Sequence, residues 1–311
     1  MNRKEFIETL TAMGERQLEK ETQACLYILQ VLDTEQIEYS VQEFETEIPA
    51  YQHCSLIVDG EALEVLPSGL VSGTVTNNHT ILSSLISSQK NLYDANINFN
   101  PASTHISRSN HYFAPAFSIK RDDVQKVIDA KDILGKLEVS KTRHRSKNIL
   151  VGNTKNPTII IFSHYDSIAT GAVDNASGTM LSLELIAEFP VLLQSVLFVL
   201  CGNEELSYDE PIYWGHGYRC FEKEYGNLIK NCTQILVLDS FGHTLPIIFS
   251  DIPTMKLAFP ITDIATYAIK TKVIAGDIDA LMHFYHAEND TSEHITDEYF
   301  EATKEMVLKM L

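Results

Sequence analysis

The chain has 311 residues, of which 44% are hydrophobic and 21% are charged, and it contains 14 glycines and 10 prolines. This composition is typical of a globular protein and excludes a disordered or collagen-like chain. Asp and Glu number 42 against 24 Lys and Arg, which gives a formal charge of −18. Because so acidic a surface repels phosphate backbones and anionic lipid, we expect neither nucleic acid nor a membrane as a partner.

No hydrophobic run approaches the roughly 20 residues that a membrane-spanning helix needs. Residues 1–17 have the spacing of an amphipathic helix, without the hydrophobic core or cleavage site of a secretory signal. We therefore expect a cytoplasmic protein. The cysteines are widely spaced and form no C-x-x-C pair, which favours free, buried side chains over disulfides or a thiolate zinc site. They are Cys25, Cys54, Cys201, Cys220 and Cys232.

Hydrophobic spacing predicts two helices at the start of the chain. Residues 50–118 differ in pattern, with short alternating runs and a tract rich in Ser and Asn. From about residue 120 onwards, β-rich hydrophobic runs alternate with helical patterns, which is typical of a mostly parallel sheet flanked by helices. The sequence therefore predicts a three-layer α/β/α fold around a mostly parallel mixed sheet. Its main domain comprises residues 1–49 and 119–311, and residues 50–118 form a β-rich insertion.

Four hydrophobic runs are each followed by residue types that bind metal ions. TIIIFS leads to His164 and Asp166, VLFVLCGN to Glu204 and Glu205, QILVL to Asp239, and ALMHFY to His286. We interpret these runs as strands, and in an open α/β sheet ligands bind beyond the carboxyl ends of the strands. A fifth group, Asp174, lies just before a helical pattern at residues 179–189. The sequence thus predicts that these acidic and imidazole side chains meet in one cleft.

Imidazole and carboxylate groups without thiolates are typical of catalytic zinc, which keeps one coordination position open for water. The number of groups allows two ions if Asp174 bridges them. His164 and Asp239 could then complete one ion, while Glu205 and His286 complete the other. Two such cations could together hold a carbonyl oxygen and stabilise the oxyanion that forms during hydrolysis.

Glu204 is left without a metal in this arrangement, which suits a general base beside metal-bound water. Asp166 lies two residues after His164 at a strand end, so its carboxylate can accept the second ring N–H and fix the tautomer of the imidazole. We therefore predict Glu204 and Asp166 as catalytic residues. Taken singly, each of these residues has an ordinary explanation, such as a hydrogen-bonded histidine or an exposed glutamate. Their joint position at strand ends favours a catalytic metal site over these separate explanations.

Five segments resemble the di-zinc aminopeptidases of metallopeptidase clan MH, to which bacterial leucyl aminopeptidases and glutamate carboxypeptidases belong. They are S-H-Y-D-S at 163–167, V-D-N-A-S-G at 173–178, G-N-E-E-L at 202–206, L-D-S-F-G at 238–242 and Y-H-A-E-N-D-T at 285–291. The resemblance covers roughly residues 148–311, and the five segments in this order are highly specific. It implies the zinc-peptidase fold and a cis peptide bond between Asp174 and Asn175.

The resemblance also implies two zinc ions, with cobalt or manganese as alternatives, and assigns a role to each candidate residue. One ion would be held by His164, Asp174 and Asp239, the other by Asp174, Glu205 and His286, with Glu204 as the base. The implied activity is that of a metallopeptidase in which a metal-bridging hydroxide attacks the peptide bond. An aminopeptidase, acting on peptides with a free amino terminus, is the form of this activity that we expect.

Two other functions stay open at this point. Glutaminyl cyclases share the fold, keep an H-Y-D-S segment and use one zinc ion. A non-catalytic relative would keep the fold and lose the chemistry. The segment V-D-N-A-S-G is like that of the two-metal peptidases, and candidate residues stand at all six positions, so the resemblance favours a peptidase.

The chain departs from the family pattern after the G-N-E-E-L segment. Residues 206–221 are longer than the usual short turn and carry Tyr208 and Trp214, which we interpret as a wall of the specificity pocket. An aromatic cluster that packs the loop onto the sheet is the alternative interpretation. Where relatives carry Ser-Asp-His, this chain has T-D-I, and its Asp263 is a third candidate for substrate binding. Relatives place a lid or a protease-associated insertion where this chain has residues 50–118.

Overall fold

The computed structural model describes residues 2–77, 79–84 and 91–311. Residue 78 and residues 85–90, which belong to the predicted insertion, lie outside the described residues. The chain divides into two compact units. The first unit comprises Met1–Thr46, His144–Leu281 and Asp290–Leu311, and the second comprises Glu47–Arg143 and Met282–Asn289.

Helices and strands occur throughout the described chain. The α-helices are α1 (Arg3–Ala12), α2 (Glu19–Thr34), α3 (Val124–Asp129), α4 (Ser177–Glu188), α5 (His216–Asn231), α6 (Ile252–Ala258), α7 (Ile264–Tyr267), α8 (Ile278–Leu281) and α9 (Asp297–Leu308). The strands are β1 (Tyr39–Val58), β2 (Glu61–Leu63), β3 (Leu66–Pro67), β4 (Gly73–Val75), β5 (Thr80–Ser83), β6 (Asn96–Phe99), β7 (Ala116–Ile119), β8 (Ile133–Gly152), β9 (Ile159–His164), β10 (Val196–Cys201), β11 (Gln234–Leu238), β12 (Ile247–Phe249) and β13 (Thr271–Ala275). Short helical turns lie at Arg121–Asp123, Ala172–Ala176, Pro190–Gln194, Ala268–Lys270 and Ser292–His294.

The first unit is built on a mixed sheet in which strands follow the order β12-β13-β11-β9-β10-β8. The four central strands β13, β11, β9 and β10 are parallel to one another. Strands β8 and β12 pair antiparallel with β10 and β13. The predicted mostly parallel mixed sheet is therefore confirmed. Strands β1 and β8 are long and contribute residues to both units.

Alternate side chains of the central strand β9 enter two different hydrophobic cores, because successive residues of a strand point to opposite faces. Ile159 and Ile161 lie in a core that also contains residues of α1, α2, α4 and α9. Ile160 and Phe162 lie in a second core with residues of α5, α6 and α7. The sheet of the first unit thus has helices on both faces, and the predicted three-layer α/β fold is confirmed.

Helix α1 is amphipathic, as its hydrophobic spacing predicts. Phe6, Ile7 and Leu10 are buried on one side of the helix. The side chain of Asn2 caps the helix by accepting the backbone N–H of Glu5 at 3.2 Å. Among the described residues, no helix combines the length and the hydrophobicity required to cross a bilayer.

All five cysteines are free, as predicted. Three are buried and two are half-buried. Cys201 illustrates the first group, since it ends the buried strand β10 and packs among aromatic side chains. These residues therefore act as small hydrophobic groups.

The second unit is rich in β-structure. Its four-stranded sheet has the order β3-β7-β6-β5, with β6 parallel to both neighbours and β3 antiparallel to β7. Leu56, Ile97, Phe117 and Ile133 belong to its hydrophobic core. This unit therefore has a core of its own.

The interpretation of the run ALMHFY as a strand is wrong. Residues 278–281 form helix α8, and turns follow up to residue 286. Asp277 begins this helix, since its side chain accepts the backbone N–H of Ala280 at 2.8 Å. A short hydrophobic run is compatible with a helix or a strand, and here the capping aspartate decides. The strand that follows β11 in the parallel part of the sheet is β13 instead.

Candidate metal centre

His164 is the last residue of β9 and its side chain is almost completely buried. Its Nε2 atom lies 3.4 Å from Oδ1 of Asp174 and 3.6 Å from Oδ1 of Asp239. Asp239 follows β11, the parallel neighbour of β9. Because the carboxyl ends of parallel strands meet at one edge of a sheet, the strand order brings Asp239 to His164.

Asp174 reaches the same place from the turn Ala172–Ala176. The peptide bond between Asp174 and Asn175 is cis, as the resemblance implies. The Asn175 side chain donates to the carbonyl of Leu238 at 2.8 Å and accepts the N–H of Gly178 at 2.9 Å. Asn175 therefore links the first turn of α4 to the end of β11, which fixes the backbone that carries Asp174.

Glu204 and Glu205 follow β10 on the other side of β9, and both are buried. His164, Glu204 and Glu205 each offer one ligand atom, and these three atoms lie within 4.8 Å of one another. The same holds for the ligand atoms of His164, Asp174 and Asp239. The structure thus brings five of the six predicted residues together within the first unit.

The sixth predicted residue, the ligand His286, belongs to the second unit, where it is buried. Its backbone carbonyl accepts the N–H of Arg108 at 3.0 Å, and its ring Nδ1 lies 3.1 Å from the carbonyl oxygen of Arg108. The adjacent residue Ala287 pairs with Ser107 in an antiparallel bridge. These contacts fix the imidazole through Nδ1, so that a bond to a metal would have to be made through Nε2.

Burial and like charges perturb the ionisation of this cluster. Desolvation, together with repulsion from Glu205, raises the pKa of Glu204 well above its ordinary value against the opposing influence of His164. Burial lowers the pKa of His164, but its contacts with Asp166, Asp174 and Asp239 outweigh this and raise it well above the ordinary value. A field that holds a proton on a buried imidazole also favours a divalent cation.

The donor set fits a catalytic zinc ion. It consists of one imidazole nitrogen and several carboxylate oxygens. All but one of these side chains are buried, and Asp239 is half-buried. Such nitrogen and oxygen ligands are those of zinc sites that keep a position open for water.

Asp166 is fully buried beneath the two glutamates. Its Oδ1 lies 3.4 Å from Nδ1 of His164. The same carboxylate accepts the backbone N–H groups of Glu204 at 3.1 Å and Glu205 at 2.9 Å, and the side-chain amide of Gln17 at 3.2 Å. It therefore supports three of the predicted residues at once.

Sequence reasoning missed a second supporting carboxylate, Asp290. It is buried and accepts the backbone N–H groups of Val173 at 2.9 Å and Asp174 at 3.1 Å. The signal for Asp290 was its place in the segment Y-H-A-E-N-D-T. Gln17 and its neighbour Arg16 were missed as well, and the sequence around them carries no comparable motif.

The candidates for substrate binding have different environments. Trp214 is half-buried in the loop before α5, and its Nε1 donates to the carbonyl of Leu257 at 3.0 Å. Tyr208 is half-buried in the same loop. Asp263 is exposed just before α7, and its backbone N–H is accepted by Glu222 at 3.0 Å. Their role in substrate binding stays a prediction.

Comparison with known proteins agrees with the sequence motifs. The model of Peptidase family M28 matches residues 148–244. This segment contains His164, Asp174, Glu204, Glu205 and Asp239. No curated protein matches the chain significantly in sequence.

Several solved structures are similar to the chain over almost its whole length. An aminopeptidase from Aneurinibacillus sp. strain AM-1 is 18% identical, with 98% of this chain and 91% of that chain covered and a TM-score of 0.66. BSAP, a zinc aminopeptidase from Bacillus subtilis, is 17% identical, with coverage of 98% and 92% and a TM-score of 0.68. A glutaminyl cyclase from Fimbriiglobus ruber is 11% identical, with coverage of 98% and 92% and a TM-score of 0.55.

At these identities the likeness concerns the fold, which two aminopeptidases and a glutaminyl cyclase share. The match to the family model concerns the sequence itself and falls on the segment that holds most of the candidate site. The resemblance that the motifs indicate is therefore confirmed: over residues 148–244 this chain carries the sequence pattern of the M28 peptidases.

Proposed function

We propose that this protein is a zinc-dependent metallopeptidase that acts as an aminopeptidase. The observation that carries the proposal is the cluster of His164, Asp174 and Asp239 next to Glu204 and Glu205. This cluster lies in the segment that matches the M28 model. Its nitrogen and oxygen donors suit a catalytic metal ion, and its buried carboxylates provide a base for hydrolysis.

Two zinc ions are the proposed cofactor, with cobalt or manganese as alternatives that accept the same donors. One ion would be held by His164, Asp174 and Asp239, the other by Asp174, Glu205 and His286. Zinc would supply Lewis-acid polarisation of the peptide carbonyl and would lower the pKa of water. BSAP, a protein with a similar fold, is itself a zinc aminopeptidase.

Glu204 is the proposed general base. Its carboxylate takes a proton from the attacking water as the oxygen adds to the carbonyl carbon, and it gives this proton to the amine when the C–N bond breaks. In the metal-free chain burial raises the pKa of Glu204, and the positive charge of bound zinc would favour the ionised carboxylate that a base requires. Asp166 fixes the backbone of Glu204, and its backbone carbonyl and carboxylate, 3.3 and 3.4 Å from Nδ1 of His164, orient the imidazole ring.

A peptide with a free amino terminus is the proposed substrate. The chain has a formal charge of −18, and carboxylates around a cleft attract a substrate ammonium group. Tyr208, Trp214 and Asp263 are the proposed substrate-binding residues. We assign catalysis to a domain of residues 1–49 and 119–311, into which residues 50–118 are inserted.

The test compares peptides with free and with blocked amino termini, each assayed with added zinc, cobalt or manganese. We expect about two zinc ions per chain. We also expect release of the first residue only from peptides whose amino terminus is free. Equal cleavage of blocked peptides would remove the aminopeptidase assignment and leave the hydrolase assignment. A chain that binds no divalent metal and cleaves no peptide would overturn the proposal.

Glutaminyl cyclisation is the second candidate, because a glutaminyl cyclase shares the fold and the loop after Glu205 is long. A cyclase of this kind needs one zinc ion. The proximity of His164 to Asp239 supports a second ion and so favours the peptidase. Ammonia release from peptides with amino-terminal glutamine, together with one zinc ion per chain, would favour the cyclase.

A further inference from the structure

We propose that Arg16 is a positioning residue of the metal centre. Its guanidinium holds the chain segment between His164 and Asp174 in the shape that presents both side chains to one ion. The proposal rests on the metal site of the proposed function. Arg16 lies between α1 and α2, about 150 positions from the segment it contacts, and its side chain is completely buried.

The guanidinium of Arg16 donates to three backbone carbonyls of this one segment. Nε donates to Tyr165 at 2.7 Å, Nη1 to Thr170 at 2.7 Å and Nη2 to Gly171 at 2.8 Å. The backbone N–H of Arg16 donates to the hydroxyl of Ser167 at 3.3 Å. The two ends of the loop from residue 165 to 171 are therefore held by a single cation, to which three of its carbonyls point.

The tightness of this arrangement is visible at Gly171, which has a φ of +58°. A Cβ atom at this position would lie 2.4 Å from the carbonyl oxygen of Asp174 and from Cβ of Ser167, and 3.0 Å from Nη2 of Arg16. Gly171 directly precedes the turn that carries Asp174. Only glycine fits at this crowded point, and the hydrogen bond from Arg16 to the Gly171 carbonyl holds the backbone at the entry to that turn.

Arg16 also faces the two carboxylates that fix the backbone of the candidate ligands. Asp166 and Asp290 are both buried, and both stabilise the charged form of Arg16. Burial lowers the pKa of Arg16 to about 10, so the group stays charged at neutral pH. As described above, Asp166 accepts the backbone N–H groups of Glu204 and Glu205, and Asp290 accepts that of Asp174. One buried cation thus interacts electrostatically with both carboxylates that hold the backbone of Glu204, Glu205 and Asp174.

Two effects of Arg16 on a metal ion oppose each other. Its positive charge repels a divalent cation, whereas its hydrogen bonds hold the ligands in place. The guanidinium points its N–H groups at three carbonyls in different directions, which an ammonium group of lysine cannot match because its donors sit on one atom. We infer that positioning outweighs repulsion. Removing the guanidinium should therefore weaken zinc binding.

The experiment measures the zinc dissociation constant of the full chain by competition with a chelator. Arg16→Gln should weaken zinc binding at least tenfold, and Arg16→Lys should fall between this variant and the wild type. Arg3→Gln is the matched control. Arg3 also lies on the amino-terminal side of α2, but its guanidinium pairs with Glu184 of α4 and with Asp297 and Glu301 of α9. Thermal unfolding in EDTA reports stability separately, and Arg3→Gln should lower it without changing zinc affinity.

Each result decides the question. Zinc binding by Arg16→Gln that equals or exceeds that of the wild type overturns the inference, since repulsion would then dominate. If Arg16→Gln does not fold, Arg16→Lys carries the test, and wild-type affinity in that variant overturns the inference. A wild-type chain that binds no zinc would overturn the proposed function, and this inference with it. A folded Arg3→Gln that loses zinc affinity as strongly as Arg16→Gln would show a general effect of stability and would also overturn it.

Discussion

Oδ2 of Asp166 accepts the backbone N–H of Glu205 at 2.9 Å, while Oδ1 accepts that of Glu204 at 3.1 Å. Because one carboxylate fixes both amides, the backbone of the two glutamates has one defined course. Adjacent side chains leave such a backbone in different directions, which allows one to bind a metal ion and the other to act as a base. The sequence predicts Asp166 as a partner of His164. The structure shows in addition that Asp166 fixes the backbone of both glutamates.

Replacing Glu204 by glutamine should abolish most of the turnover and leave the zinc content unchanged. The amide keeps the shape of the side chain but cannot take up a proton, and general bases of this kind contribute about 10²–10⁴-fold to rate. Steady-state kinetics and metal analysis of the purified variant measure the two quantities. Glu205→Gln is the matched variant and should lose zinc. If Glu204→Gln loses the metal instead, the roles of the two glutamates are exchanged.

Replacing His286 by alanine should remove one of two zinc ions and much of the activity. The proposed second ion would keep only carboxylate ligands, and zinc bound by fewer ligands is released more readily to a chelator. His243→Ala is a suitable control, because His243 is not a proposed ligand. Its Nε2 atom lies 3.0 Å from the carbonyl oxygen of Asp277. Zinc per chain, measured after dialysis, should fall for His286→Ala alone. Full activity of His286→Ala would show that the last motif is misassigned.

The strand ends could be predicted from the sequence, but their order in the sheet could not. The hydrophobic runs before His164, Glu204 and Asp239 are strands, as predicted. The sheet places β9 between β11 and β10, so that His164 stands in the middle with a carboxylate on each side. Several orders of these strands would satisfy the same hydrophobic pattern, because each strand is buried on both faces.

The contact of Arg16 with the candidate site was beyond the reach of sequence patterns, whereas Asp166 and Asp290 at least lie in recognisable motifs. Arg16 contacts Tyr165 across 149 positions of the chain, and Asp290 contacts Val173 across 117. Periodicity reports only on neighbours within one helix or strand, and motif spacing reports only on residues close in sequence. A buried arginine in a polar stretch such as GERQLEK has no local feature that separates it from an exposed one. Only the packing of α1 and α2 on the sheet reveals it.

The stability of the metal-free protein should fall with rising pH in part because of Glu21. This residue of α2 is buried, and its Oε2 lies 3.2 Å from Nε2 of His144. Burial raises the pKa of Glu21 above its ordinary value of 4.5, against the opposing contact with His144. The folded state therefore holds this proton to a higher pH than the unfolded state does, and stability decreases as pH rises above about 4.5 towards the folded-state pKa.

Glu21→Gln removes this titration, so its free energy of unfolding should improve relative to the wild type as pH rises. Urea denaturation in EDTA at a series of pH values between about 5 and 8 measures the difference between the two proteins. The exposed Glu19 of the same helix supplies the control, and Glu19→Gln should keep the pH dependence of the wild type. A difference between Glu21→Gln and the wild type that stays constant, or that shrinks with pH, would contradict this account.

Replacing Tyr218 by phenylalanine should leave the stability of the metal-free protein unchanged or raise it. Tyr218 lies in α5, fully buried, with its ring packed edge-on against Phe162 at 5.7 Å and Phe259 at 5.0 Å. Its hydroxyl has no hydrogen-bond partner within the part of the chain that the structure describes. A buried hydroxyl of this kind costs about 1–3 kcal/mol, and phenylalanine keeps the ring contacts without it.

Tyr165→Phe is the matched control for this change, because Tyr165 is equally buried but donates its hydroxyl to the carbonyl of Lys147 at 2.7 Å. Loss of that bond should destabilise the fold by about 0.5–1.5 kcal/mol. Urea denaturation of both variants in EDTA, beside the wild type, gives the two free energies. Equal destabilisation by Tyr218→Phe and Tyr165→Phe would contradict this prediction. It would mean that the Tyr218 hydroxyl forms a hydrogen bond in solution, because removing a hydroxyl destabilises the protein only when a hydrogen bond is lost with it.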